Sequence, residues 1–237
     1  ITVWGGPNFP KDMPSQEEFM KNHTEVDFYV PIDGETGFTN IVTKYLELSS
    51  KEKIKKKIFN IPIEGCLSQN ESGKLQYNNP GIRIKDLDEV PSPYLSGILD
   101  EFFDGKLSPM IQSNRGCPFS CTFCTDGSDL VKQVNKFSID RVKNELEYIA
   151  KKVPKNIHSM TISDLNFGMY PRDLEICQTI SDCQKKYEYP NIIQASTGKN
   201  QKEKIINAIK SLNGALRLSM SVQSMDQEVL ENIRRSN

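Results

Sequence analysis

The stretch Arg115-Gly116-Cys117-Pro118-Phe119-Ser120-Cys121-Thr122-Phe123-Cys124 constrains this chain more than any other. Its three cysteines are spaced Cys-x3-Cys-x2-Cys. Thiolates prefer soft metals, and three of them on one short loop can converge on a single centre. The intervals are too short for a regular helix to keep all three sulfurs on one face. A loop bent by Gly116 and Pro118 can do so. A cubic four-iron four-sulfur cluster takes four ligands, one per iron, so three cysteines leave one iron open for chemistry. A structural zinc site would want a fourth ligand close by. The only histidines, His23 and His158, are distant in sequence.

The remaining composition narrows the setting. Net charge is -1, which gives the chain no general polyanion-binding character. No apolar run approaches the roughly 20 residues of a membrane-spanning helix. Six cysteines, three of them assigned to metal, do not suggest a disulfide scaffold. A reduced, cytoplasmic setting fits that usage. The first residue is Ile1, inside an expected strand, and the chain reads as a piece of something longer.

Hydrophobic periodicity predicts an α/β chain. A strand over Ile1–Trp4 ends at the Gly5-Gly6-Pro7 turn. A capping box at Ser15-Gln16-Glu17-Glu18 predicts a helix start. A second strand covers Phe28–Val30, and Asp33-Gly34-Glu35-Thr36-Gly37 reads as a loop before a helix through Phe38, Ile41, Val42, Tyr45 and Leu46. Residues 51–57 form a basic run, read as a solvated helix end. A hairpin is predicted around Asn70-Glu71-Ser72-Gly73, with Cys66 packed nearby. Residues 86–94 read as a proline-stiffened linker. Four strand–helix units then follow. The strands are Met110–Ser113, Ile157–Ser163, Ile192–Ser196 and Leu216–Gln223. The first three helices are capped by Ser138, opened by Pro171 and stopped at Gly214. Cys177 and Cys183 fall on different sides of the second helix. The expected domains are residues 1–50, a linker with a hairpin over 51–105, and a core over 106–237.

Strand parity adds a second signal. Met160 and Ile162 oppose Ser159, Thr161 and Ser163. Leu216, Leu218, Met220 and Val222 oppose Arg217, Ser219, Ser221 and Gln223. Gln112, Asn114, Gln194 and Ser196 extend the polar set. A filled parallel barrel has a branched apolar interior. A polar inner face therefore predicts an open barrel with a ligand cavity at the strand C-termini. The alternative is a sheet with one solvated face.

The cysteine stretch resembles the signature of the radical S-adenosylmethionine (radical SAM) enzymes, and its Arg-Gly-Cys-Pro lead-in resembles their methylthiotransferase-like and cobalamin-dependent branches. The resemblance implies that Cys117, Cys121 and Cys124 hold a four-iron four-sulfur cluster. The open iron would take the amino and carboxylate groups of S-adenosylmethionine, and Phe123 would lie against the adenine. Ser163-Asp164-Leu165-Asn166-Phe167 is similar to the Asp-Asp-x-Phe stretch of cobalamin-type members, which puts Asp164 near the amino group of S-adenosylmethionine. Ser196 and Gln223, closing the third and fourth strands, match positions that touch its ribose or carboxylate. Residues 1–50 resemble the C-terminal part of an open α/β cobalamin-binding domain through Gly5, Gly6, Gly34 and Glu35. Gly37 stands where a second glutamate is usual, and the cobalt-ligating Asp-x-His-x-x-Gly motif has no counterpart. The family core has six strand–helix units, and four are present here.

The implied fold is a partial (β/α) radical SAM barrel preceded by part of a cobalamin-binding-like domain. The implied activity is reductive cleavage of S-adenosylmethionine to a 5′-deoxyadenosyl radical. Cobalamin would make it a methyl transfer to a small molecule or a modified biopolymer. A flavodoxin or ferredoxin would serve as electron donor. The rival reading is a non-catalytic metal module, either an electron carrier or a structural zinc site.

Overall fold

The structure is a computed structural model, which describes residues 1–6, 8–48, 58–70, 72–80, 83–218 and 221–235. The chain divides into two compact units, Ile1–Ile84 and Lys85–Asn237. The basic run at 51–57 lies outside the described residues.

The first unit is built on β1 (Val3–Gly5), α1 (Met13–Asn22), β2 (Phe28–Val30), α2 (Gly34–Leu48), β3 (Cys66–Gln69) and β4 (Leu75–Asn78). The strands form one sheet in the order β1-β2-β3-β4. β1 and β2 are parallel, and the β3–β4 hairpin adds antiparallel to β2. The hairpin is thus part of the same sheet as the first two strands. All three residues of β2 are buried, as a strand covered on both faces must be. Phe28 and Val30 pack with Ile41, Ile58, Ile63 and Cys66 on one side. Tyr29 packs with Met20, Val26 and Leu67 on the other.

Two local starts differ from expectation. α1 begins before Ser15, because Asp12 accepts from the Ser15 amide at 3.0 Å and Pro14 occupies the first turn. An aspartate cap followed by proline outcompetes the later serine. Gly34, Glu35 and Gly37 lie inside α2 rather than in a loop. A Cβ at Gly37 would stand 2.4 Å from the Gly65 carbonyl oxygen and 2.7 Å from Val30 Cγ1. The helix therefore runs against the sheet where only glycine fits, which excludes the glutamate usual at this place.

The second unit contains β5 (Met110–Ile111), β6 (Asn114–Arg115), β7 (Asn135–Lys136), α3 (Ile139–Lys152), β8 (Ser159–Phe167), α4 (Asp173–Tyr187), β9 (Ile192–Thr197), α5 (Lys202–Lys210) and α6 (Gln227–Asn232). β5, β8 and β9 form a parallel sheet in that order, and β6–β7 form an antiparallel ribbon. Parallel strands joined by helices make this half α/β. Met160, Ile162 and Ile193 are buried on the sheet, as are Val142, Leu146, Ile149, Ile176 and Ile180 on the helices. Thr161 and Ser163 are half-buried, and Gln194 and Ser196 exposed. The predicted parity holds over these two strands.

Ser138 caps α3 as expected, accepting from the Arg141 amide, with Phe137 and Val142 both buried beside it. The segment 86–94 is fastened to this helix. Asp88 accepts from the Ser138 amide, Glu145 accepts from Ser92 Oγ, and Arg141 donates to the Val90 carbonyl. The expected fourth strand is a correction. Leu216 bridges Ile193, but among the described residues no ladder continues beyond it, and Leu218 and Val222 are exposed. Ser219 and Met220 lie outside the described residues. A strand is held by its ladder, and alternation alone does not supply a partner.

Candidate metal centre

β5 delivers the chain into the cysteine loop through the turn Ser113–Asn114. That turn is held by Asp164, near the end of β8. Asp164 is 1% exposed. It accepts from the Ser113 amide at 2.7 Å, the Asn114 amide at 3.3 Å and Asn114 Nδ2 at 2.8 Å. The Ser113 hydroxyl donates to its second oxygen. Burial pushes the Asp164 carboxyl up, and the hydrogen bonds from Ser113 and Asn114 oppose that shift. Charge-assisted bonds from backbone and side chain together make this aspartate the clamp beneath the loop.

The loop itself is fixed by backbone contacts. The Cys117 amide donates to the Val131 carbonyl at 3.0 Å, and the Thr122 amide to the Ile233 carbonyl at 3.1 Å, just after α6. Cys121 accepts from the Cys124 amide, and Cys124 from Gly127. Gly116 has φ +119, and a Cβ there would stand 2.3 Å from the Gln133 carbonyl oxygen. At Gly127 a Cβ would stand 2.2 Å from the Cys121 carbonyl oxygen. Gly116 answers the sequence expectation of a bend, and Gly127 is a second close approach that the cysteine spacing does not signal. Lys199, after β9, lies over the Phe119 ring at 5.7 Å, which brings the β9 end to the loop.

Cys117 and Cys121 are 5% and 3% exposed, and Cys124 is half-buried. Asn166 donates through Nδ2 to the Cys117 sulfur at 3.4 Å. Among the described residues no group of three His, Cys, Asp or Glu side chains is gathered to hold one metal ion. A structural zinc site takes four such ligands, whereas a cluster takes one sulfur at each of three irons. Three thiols on a backbone-locked loop, with an amide donor aimed at one sulfur, form a donor set that fits an iron–sulfur cluster.

Of the other expected site residues, Phe123 is 52% exposed and stands free on the loop. Ser196, the last but one residue of β9, is exposed, and Gln223 is exposed outside any strand. Cys66, Cys177 and Cys183 stand apart as packed thiols. Burial pushes them up to about 12, 12 and 11, so they stay protonated. Ser113, Asn114 and Asn166 were not among the expected site residues. Their signal was the polar residues continuing the buried parity of Met160 and Ile162 into Asp164 and Asn166.

Asp173, opening α4, is wholly buried, and burial pushes its carboxyl up to about 6. The Tyr170 amide donates to it at 3.0 Å and opposes the shift, while nearby Asp164 adds to it. A raised folded-state value favours the neutral acid. Its stability contribution is present below about pH 4 and is lost as pH rises through about 6. Two pKa units correspond to about 3 kcal/mol. Asp173→Asn is therefore expected to flatten stability between pH 4.5 and 7.5, measured by chemical denaturation across that range.

The profile of the Radical SAM superfamily matches residues 111–237. The chain is 30% identical to the 2-(S-pantetheinyl)-carbapenam-3-carboxylate methyltransferase of Streptantibioticus cattleyicolor, aligned over 100% of this chain and 34% of that protein. It is 28% identical to the cobalamin-dependent radical SAM methyltransferase TokK of Streptomyces tokunonensis, with the same coverage. The chain thus spans about a third of the length of these curated relatives. Its fold is similar to that of the cobalamin-dependent S-adenosylmethionine radical enzyme OxsB with aqua-cobalamin and S-adenosylmethionine bound. The TM-score is 0.63 at 20% identity, over 99% of this chain and 32% of that one. It is also similar to the radical S-adenosylmethionine methyltransferase TsrM of Kitasatospora setae, with cobalamin and a [4Fe-4S] cluster bound. There the TM-score is 0.62 at 13% identity, over 99% of this chain and 44% of that one.

Proposed function

The chain belongs to the radical SAM superfamily, and from that premise we propose that it is the cluster-bearing part of a cobalamin-dependent radical SAM methyltransferase. The observation that carries this reading is the locked Cys117–Cys121–Cys124 loop at the C-terminal end of a parallel α/β sheet. The first two curated relatives are both named methyltransferases, and the OxsB and TsrM structures hold bound cobalamin. When bound, the cluster supplies one electron to S-adenosylmethionine, whose carbon–sulfur bond breaks to give methionine and a 5′-deoxyadenosyl radical.

The residues of this chain hold and orient. Cys117, Cys121 and Cys124 each take one iron. Phe123, exposed on the loop, provides the ring for the adenine. Ser196 and Gln223 offer polar groups to the ribose or carboxylate. Asp164 has both oxygens taken by the Ser113–Asn114 turn. It is assigned to positioning the loop rather than to the direct amino contact that the family resemblance implies. Residues 106–237 serve as part of the (β/α) barrel core. The first unit serves as the C-terminal part of a cobalamin-binding domain, where Gly6, at φ +110, has open space where a Cβ would stand. Tyr29 steadies that turn by donating to the Gly6 carbonyl at 3.0 Å. A one-electron donor of the flavodoxin or ferredoxin kind completes the system. No helix of the described residues is long and apolar enough to cross a membrane.

The test is electron paramagnetic resonance of the anaerobically reconstituted full chain, with product analysis. A reduced-cluster signal that changes on adding S-adenosylmethionine, with release of 5′-deoxyadenosine or transfer of its methyl group, is expected. No cluster absorbance, or a cluster indifferent to S-adenosylmethionine, refutes the reading.

A further inference from the structure

We propose that Asn166 is a positioning residue that sets the reduction potential of the cluster by donating its side-chain N–H to the Cys117 sulfur. The inference rests on the radical SAM reading and adds to it a residue outside the cysteine motif. Asn166 is 1% exposed, and its Nδ2 lies 3.4 Å from Cys117 Sγ. Its Oδ1 has no hydrogen-bond partner among the described residues. A buried orphan acceptor costs about 1–3 kcal/mol. A leucine of similar size would avoid that cost. A polar residue at such a position therefore points to what its donor does at the sulfur.

The backbone is shaped to deliver this amide. β8 and β9 pair in register through Ile162 and Ala195 and meet again at Phe167 and Thr197. Five steps on β8 then stand against two on β9. The alternation along β8 itself is unbroken, so Asp164 and Asn166 stay on the buried face of Met160 and Ile162, where Asp164 meets the Ser113–Asn114 turn and Asn166 meets Cys117. The Asn166 carbonyl accepts from the Met169 amide at 3.3 Å, which closes the strand end behind it.

Reduction adds one negative charge to the cluster and its thiolates. An N–H aimed at a thiolate stabilises the more negative state, so it raises the potential. In a dry interior that bond is stronger than in water. An aspartate of the same shape would present a carboxylate and act in the opposite sense.

The experiment is a redox titration of the reconstituted full chain, followed by electron paramagnetic resonance, for the native protein, Asn166→Leu and Asn166→Asp. Both variants are expected to lower the midpoint. The reduced-to-oxidised ratio at fixed potential should fall about tenfold, or ~59 mV for one electron. A second measurement stands apart from variant folding. Native protein labelled with 15N-asparagine should show a nitrogen coupling to the reduced cluster in pulsed spectra, and Asn166→Asp should lose it. Intact clusters with unchanged midpoints in the variants overturn the inference, as does the absence of that coupling in the native protein. Failure of the native chain to bind any cluster overturns instead the radical SAM reading beneath it.

Discussion

Individual replacement of Cys117, Cys121 or Cys124 by serine is expected to reduce bound iron and sulfide to background, while Cys66→Ala, Cys177→Ala and Cys183→Ala retain about four irons per chain. The physical ground is different for the two groups. The three loop sulfurs sit on one backbone-locked turn that leads directly from β5. Serine offers a hard oxygen where soft iron prefers sulfide-like donors. The other three thiols are committed to packing. Cys66 lies in the first unit's core and donates to the Ile63 carbonyl, and Cys177 and Cys183 are buried on α4. Burial that holds them protonated near pH 7 also removes them as ligands, since only thiolate binds iron well. The measurements are iron and sulfide content and the visible absorbance of the anaerobically reconstituted full chain, with circular dichroism to show that each variant is folded. Loss of the cluster in any of the second group would point to a closed four-cysteine site and to an electron carrier rather than an enzyme.

The cysteine loop was legible in the sequence because its chemistry is local: three soft ligands and two bending residues lie within ten positions. The helices of the second unit were legible for the same reason, since Ser138 and the apolar spacing of α3 act within a few turns. What escaped the sequence depends on partners far along the chain. Gly37 looks like a loop residue until β2 and the Gly65 backbone are in place. Only then does the missing side chain become a close-packing requirement. The Leu216–Gln223 alternation is a sound strand pattern, yet pairing beyond Leu216 is decided by neighbours and not by pattern. Asp164 was visible as a polar residue at a strand end. Its four donors come from residues about fifty positions earlier, so the sequence could suggest a ligand contact but not a clamp.

That clamp sets the second large expectation. Asp164→Ala removes the acceptor for the Ser113 amide, the Ser113 hydroxyl, the Asn114 amide and Asn114 Nδ2 in one step. Ser113 and Asn114 are buried at 0% and 2% exposure, so water does not readily replace the lost partner. Each buried neutral donor left without its acceptor costs about 1–3 kcal/mol, and the alanine leaves several at once. Asp164→Asn should cost less, about 1–3 kcal/mol. Its oxygen can still accept from the two amides, while its NH2 meets donors that must reorient or go unpaired. The alanine variant should show faster hydrogen exchange at the Ser113 and Asn114 amides, an earlier denaturation midpoint for the second unit, and a cysteine loop that loads iron poorly although all three sulfurs are present. Asn should fall between alanine and native on each measure. Equal stability and equal loading in all three proteins would mean that the turn is held by something other than this carboxylate. The loop's geometry would then have to come from the Val131 and Ile233 carbonyl contacts alone.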